Sequence, residues 1–216
     1  ERHAGPARPE MLEFNAADPK KPPKVLSPAW DGNPPFAEHT YRFFGADVGT
    51  GEAIMLNQIS YSHKEWALLK RDGTWAAGQL INVPSRPGDI HAYRPPYNLH
   101  RTNYGSVVLR DRAVYVTGCV SYANWDRAGE KELKEILGGE SARKRLGSLA
   151  NRRRMVFAWT PDVTTTPFSE WIEVGNTMAN GGWLFPGDLW VAPDGLAHVL
   201  WYEGPMPRRL RDERFP

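Results

Sequence analysis

One cysteine in 216 residues is too few for an internal disulfide or a cysteine-based metal site, so packing and hydrogen bonding must hold this chain together. That residue, Cys119, stands in the apolar run AVYVTGCVSY (113–122), where a small buried side chain is expected. No stretch reaches the roughly 18 apolar residues of a membrane-spanning helix. Neither sign of charge dominates: 27 Lys and Arg against 25 Asp and Glu leave a net +2, without the basic stripe that a nucleic-acid surface requires. Also lacking are a glycine-rich phosphate loop, a His-Glu-x-x-His pair and a serine-centred elbow. Nucleic acid and membrane are therefore not expected as partners, and no cofactor or metal ligand set is indicated. A structural Ca²⁺ held by loop carboxylates and carbonyls stays compatible with the composition.

What the chain does have is 41% hydrophobic residues, enough for a core, and nine Trp, 20 Gly and 19 Pro. Those numbers favour many short strands and turns over a helical bundle, so the class expected is all-β.

Three segments share one pattern: FFGADVGTGEAIMLNQISY (43–61), YGSVVLRDRAVYVTGCVSY (104–122) and FPGDLWVAPDGLAHVLWYE (185–203). Each carries a Gly, a short apolar strand, a tight polar turn and a second apolar strand ending near a Tyr. The first is followed by EWALLKRDGTWAAGQLINV (65–83) and the second by RRMVFAWTPDVTTTPFSEWIEVG (153–175), each again two strand-like runs around Asp, Gly, Thr or Pro turn residues. The unit is two hairpins, or four antiparallel strands. Aligning Ala53, Ala113 and Ala197 gives intervals of 60 and 84 residues. The excess falls on 126–153, where Leu133, Ile136 and Leu137 lie at helical spacing before Gly138 and Gly139, predicting a short helical insertion in a loop.

A four-stranded sheet recurring with Trp and Gly at equivalent places predicts a β-propeller of four-stranded antiparallel blades. An ordinary β-sandwich with accidental internal similarity is the competing reading. The expected organisation is a partial preceding blade and linker over 1–38, with PKKPP as a hairpin turn, then a blade over 39–83. A second blade spans 84–175 with the insertion at 126–153, and the inner hairpin of an incomplete blade occupies 176–216. That is about two and a half blades, an open ring, so the chain is expected to be a fragment whose partner is the rest of the propeller.

PGDLWVAPDGLAHVLWYE (186–203) resembles the repeat of the BNR and sialidase-like propellers, with an Asp-Gly turn between two inner strands. KRDGTWAAGQL (70–80) resembles a degenerate Asp box that keeps Asp72, Gly73 and Trp75 but lacks the leading Ser and the usual spacing. The resemblance covers roughly 39–205 and speaks more to fold than to activity. Its relatives include sialidases, ulvan-lyase-like polysaccharide lyases and domains without known catalysis. It implies a carbohydrate-active protein, secreted or periplasmic, with a polysaccharide or oligosaccharide substrate.

In such a fold the connections between blades, and between the second and third strand of each, gather on one face. Here they are 27–42, 60–65, 84–104, 121–153, 176–186 and the tail after Tyr202. The richest, PSRPGDIHAYRPPYNLHRTNYG (84–105), places Arg94, Tyr97, His100, Arg101, Asn103 and Tyr104 close together in sequence. His39 and His63 fall in comparable loops, as does Trp183, whose ring suits the apolar face of a sugar. His198, alternating within a strand, is expected in the core or in an inter-blade hydrogen bond. Arg152–Arg154 are expected on a solvated face, and Trp66, Trp75, Trp159, Trp171, Trp190 and Trp201 are expected between blades.

Three chemistries compete. A glycoside hydrolase needs two carboxyl groups at a defined separation, and Asp31, Glu38, Glu65, Asp89, Asp126 and Glu203 show no informative pattern. A sialidase-like site needs clustered Arg and a Tyr nucleophile. A lyase needs donors that neutralise a uronate and a His or Tyr that moves the proton alpha to it. The enrichment in His, Arg, Asn and Tyr favours the lyase. His100 is then the base or acid, with Tyr122 or Tyr104 as its proton-transfer partner. Arg101, Arg94 and Asn103 hold the carboxylate, and Tyr97, His39, His63 and Trp183 bind substrate. A non-catalytic segment binding glycan or protein through the same loops is the contrasting reading.

Overall fold

The computed structural model describes residues 10–31, 43–59, 62–84, 99–100, 102–121, 152–177 and 183–204. These residues are all-β, in several antiparallel sheets, none of them closed and none accompanied by a helix.

The first full sheet is the meander β3 (Phe43–Asp47), β4 (Glu52–Ile59), β5 (His63–Leu69) and β6 (Trp75–Ile81). Every residue of β4 is buried, which accounts for the apolar run Ala53–Leu56 at its centre. The second sheet repeats the order with β10 (Val107–Arg110), β11 (Ala113–Ser121), β12 (Arg152–Thr160) and β13 (Ile172–Asn176). A short β9 (Thr102–Asn103) extends the β10 side along β11. A hairpin of β14 (Trp183–Val191) and β15 (Ala197–Gly204) follows. Ahead of the sheets, β1 (Met11–Glu13) and β2 (Lys24–Leu26) form a hairpin across the proline-rich turn. β7 (Val83–Pro84) pairs with β8 (Leu99–His100).

The internal alignment has a structural counterpart. Ala53, Ala113 and Ala197 all lie at the first or second residue of the second strand of a hairpin. Turn chemistry repeats as well. After β5, Thr74 donates both its backbone N–H (2.9 Å) and its hydroxyl (2.6 Å) to Asp72 Oδ1. After β12, Thr164 does the same to Asp162 Oδ1 at 2.8 and 2.6 Å. In both turns the threonine hydroxyl holds the aspartate pKa below its ordinary value.

The core lies between the two sheets. Phe43, Ile54, Leu56, Trp66, Leu68 and Leu80 of the first meet Val107, Leu109, Val114, Val116, Ala158 and Val163 of the second. β3 and β10 approach closely enough that a Cβ on Gly45 would lie 3.1 Å from Val107 O. β14 packs in turn against β10, β11 and β12.

At one end of the stack the hairpin turns interlock. Asp47 accepts the Asp111 N–H at 2.7 Å, which is the main cause of its depressed pKa. Arg112 forks onto the buried Glu52 at 3.1 and 3.3 Å. Arg110 donates to Ala192 O and, at 3.0 Å, to Pro193 O. The first hairpins of three successive units are thus joined through their turns.

Several expectations need correction. Arg154 is only 2% exposed, with Nε 4.0 Å from Glu173, so the arginine triplet is not simply a solvated face. His198 is exposed and lies 4.9 Å from the ring of its cross-strand partner Trp190, itself 58% exposed, because this face of the hairpin has no described sheet over it. Trp159 is also exposed, stacked on Tyr115. Strand pairing runs further than expected, so His63 and Glu65 belong to β5 and Trp183 begins β14. The helical insertion lies outside the described residues, except that Arg152 and Arg153 are strand.

Candidate functional site

The end opposite the interlocked turns is where β4 leads to β5, β6 leads by way of β7 and β8 to β9, β11 to β12 and β13 to β14. Its strand ends carry an unusual load of buried polar side chains, among them Asn57, Gln58, Lys64, Glu65, Asn103 and Arg154. Burying such groups is unfavourable unless they are hydrogen-bonded, so their placement needs a cause.

On the face of the first sheet turned to the second, Lys64 is wholly buried. Its Nζ donates to Gln58 Oε1 at 2.8 Å and to Thr102 O at 2.9 Å, and lies 4.5 Å from the centre of the Phe43 ring. Gln58 is held in turn by donating Nε2 to His63 O at 2.7 Å. The ammonium thus ties the β4–β5 hairpin to β9 of the second sheet, using neutral acceptors and an aromatic face.

On the opposite face, Asn57, Glu65 and Gln79 stand in register across β4, β5 and β6. Gln79 Nε2 reaches Asp31 Oδ2 at 3.3 Å. His63 lies one pleat away. Ser62 Oγ lies within hydrogen-bond reach of Ile59 O at 3.3 Å and of His63 Nδ1 at 2.7 Å, and His63 Nε2 lies 3.7 Å from Glu65 Oε1. A groove of about 420 Å³ opens beside Gln79, lined by Ile81, Pro84, Pro167, Phe168 and Trp171. Within its lining, Trp171 Nε1–H donates to Ile81 O at 2.7 Å. Sequence reasoning singled out His63 but not Asn57. Only the strand register puts Asn57 opposite Glu65.

On the second sheet, the β9–β10 side holds three residues, 104–106, where β11 holds two, 117–118, between the pairs Asn103↔Cys119 and Val107↔Val116. This is a β-bulge, and Tyr104 occupies it with φ +51°. A non-glycine residue enters that region at a cost of about 1–2 kcal/mol. Tyr104 is 38% exposed, and its ring lies 5.3 Å from that of Phe185 on β14. Asn103 beside it is 3% exposed, so it stands behind the surface rather than on it, and its carbonyl accepts from Cys119 Sγ at 3.4 Å. The expected burial of Cys119 is observed.

Of the other candidates, His100 is placed by its backbone, paired with Val83, and Trp183 by its pairing with Gly204. His39, Arg94, Tyr97, Arg101 and Tyr122 lie outside the described residues. The described candidates His63, Asn103 and Tyr104, together with the backbones of His100 and Trp183, all belong to the same end of the sheets. Among the described residues no group of three or more His, Cys, Asp or Glu is placed to hold a metal ion.

No protein-family model, curated protein or solved structure matches the chain.

Proposed function

We propose that this chain is part of a carbohydrate-active β-propeller whose polar end binds a uronic-acid glycan and cleaves it by β-elimination. The propeller reading is supported by two four-stranded meanders and a hairpin stacked in chain order, with β3 against β10 and β10 against β14. The observation that carries the functional reading is the concentration of most buried polar groups and of the described candidate residues at one end, against interlocked turns, with the Arg112–Glu52 pair, at the other.

In the proposed reaction His100 or Tyr122 removes the proton alpha to the uronate carboxylate. The released electron pair forms a carbon–carbon double bond, the glycosidic bond at the β-carbon breaks, and the departing oxygen takes a proton from the other of the two groups. Arg101 and Arg94 neutralise the carboxylate as charge builds on it. His63, fixed by Ser62 and Glu65, and Lys64 brace the strand ends on which these loops are mounted.

The test is ultraviolet absorbance of the unsaturated product when the protein is incubated with polygalacturonate, alginate and ulvan. A rise with one polymer, lost in His100→Ala and in Tyr122→Phe, is expected. Release of reducing sugar without the absorbance would replace elimination by hydrolysis. Binding without either product would make the polar end a recognition surface.

A further inference from the structure

Among the described residues three non-glycine positions have positive φ: Tyr104, Asp111 and Arg112. Asp111 and Arg112 are the two central residues of the β10–β11 hairpin, where strand twist calls for a turn of that hand. Tyr104 is in no hairpin turn; its positive φ comes with the bulge, at a position where glycine is the usual residue. Its neighbour Gly105 is glycine on other grounds, because a Cβ there would meet Thr117 O at 1.7 Å. The left-handed position itself, where glycine would be unstrained, is given to a large, partly exposed aromatic residue whose ring is backed by Phe185. Strain retained at one residue of a bulge, at the end of the sheets that carries the candidate site, marks a side chain kept for where its ring lies.

We propose that Tyr104, backed by Phe185, is a stacking platform for a sugar ring of the glycan, and that its hydroxyl carries no proton in the reaction. This rests on the glycan reading above and reassigns Tyr104 from proton transfer to binding. The apolar C–H face of a pyranose matches the face of an aromatic ring. A ring tilted 38° against a second ring is held in orientation before any ligand arrives.

The test uses the full chain and the variants Tyr104→Phe, Tyr104→Ala and Tyr104→Gly. Binding is read by affinity electrophoresis in polygalacturonate, alginate and ulvan, turnover by ultraviolet absorbance, and stability by urea unfolding. Tyr104→Phe, which keeps the ring, is expected to retain binding within about twofold, with turnover falling no further than binding does. Tyr104→Ala and Tyr104→Gly are expected to weaken binding roughly tenfold, the equivalent of one stacked ring. Tyr104→Gly should unfold at higher urea than Tyr104→Ala, because it relieves the backbone. Binding unchanged in Tyr104→Ala overturns the platform alone. Lost turnover with intact binding in Tyr104→Phe overturns it in favour of proton transfer. Failure of the wild type to bind any of the polymers overturns the glycan reading and the sugar platform with it.

Discussion

Replacing Gly105 by alanine tests the bulge on which Tyr104 depends. A Cβ built there lies 1.7 Å from Thr117 O and 2.7 Å from Thr117 C, both backbone atoms of β11 that no rotamer change can move. The carbonyl would have to withdraw from 1.7 Å to beyond 3.0 Å, taking with it the Thr117 N–H bond to Ser106 O (3.0 Å) and the Ser106 N–H bond to Thr117 Oγ1 (3.3 Å). Two hydrogen bonds at about 1 kcal/mol each, with overpacking at about 1–3 kcal/mol next to the buried Val107 and Val116, sum to about 3–5 kcal/mol. That is a large part of the roughly 5–15 kcal/mol that stabilises an ordinary domain. Urea unfolding followed by tryptophan fluorescence would read it as a fall in midpoint at unchanged slope. Gly51→Ala is the control. Gly51 has φ +72° with open space around it, so only the conformational penalty of about 1 kcal/mol applies. If Gly105→Ala lost no more than Gly51→Ala, the crossing of the 104–106 segment over Thr117–Gly118 would be refuted, and the bulge with it.

Further outcomes follow from the same geometry. Lys64→Met should cost about 2–5 kcal/mol in urea unfolding, since Gln58 Oε1 and Thr102 O each lose a donor in a buried place; a loss within about 0.5 kcal/mol would show that the clamp contributes nothing. Trp66→Ala should cost about 3–5 kcal/mol. Trp190→Ala, on the exposed hairpin face, should cost less than about 1 kcal/mol, and comparable losses for the two would contradict their different burial. Asp47 has a depressed pKa, so the stability it adds is present above the ordinary aspartate range and is lost as pH falls below about 4 toward its folded value. Asp47→Asn should therefore be less stable near neutrality and show a flatter fall of urea midpoint below about pH 4; parallel curves would remove Asp47 from the acid response.

Much of the strand arrangement was legible because it is written locally. Alternation, Asp-Gly and Asp-x-Thr turns and the three aligned alanines place hairpins without knowledge of their neighbours. The candidate site was legible only in part. His63, Tyr104 and Asn103 were chosen for residue type and position, and all three belong to the polar end. The sequence carried no sign that Asn57 would stand opposite Glu65, that Lys64 would be buried against Phe43, or that Arg154 would be withdrawn from solvent. Each of these depends on which strand pairs in which register and on which sheet lies above it.

The sequence by itself determined an all-β chain of repeated hairpins, because strand and turn preferences act over a few residues and survive without tertiary context. Burial and backbone strain were decided by tertiary structure alone. Trp66 and Trp190 look alike in sequence, yet one is covered by the second sheet and the other by no described element. Tyr104 acquires its left-handed conformation only because β11 supplies two residues against three across the bulge. Such properties belong to pairs of segments distant in the chain, and no local pattern records them.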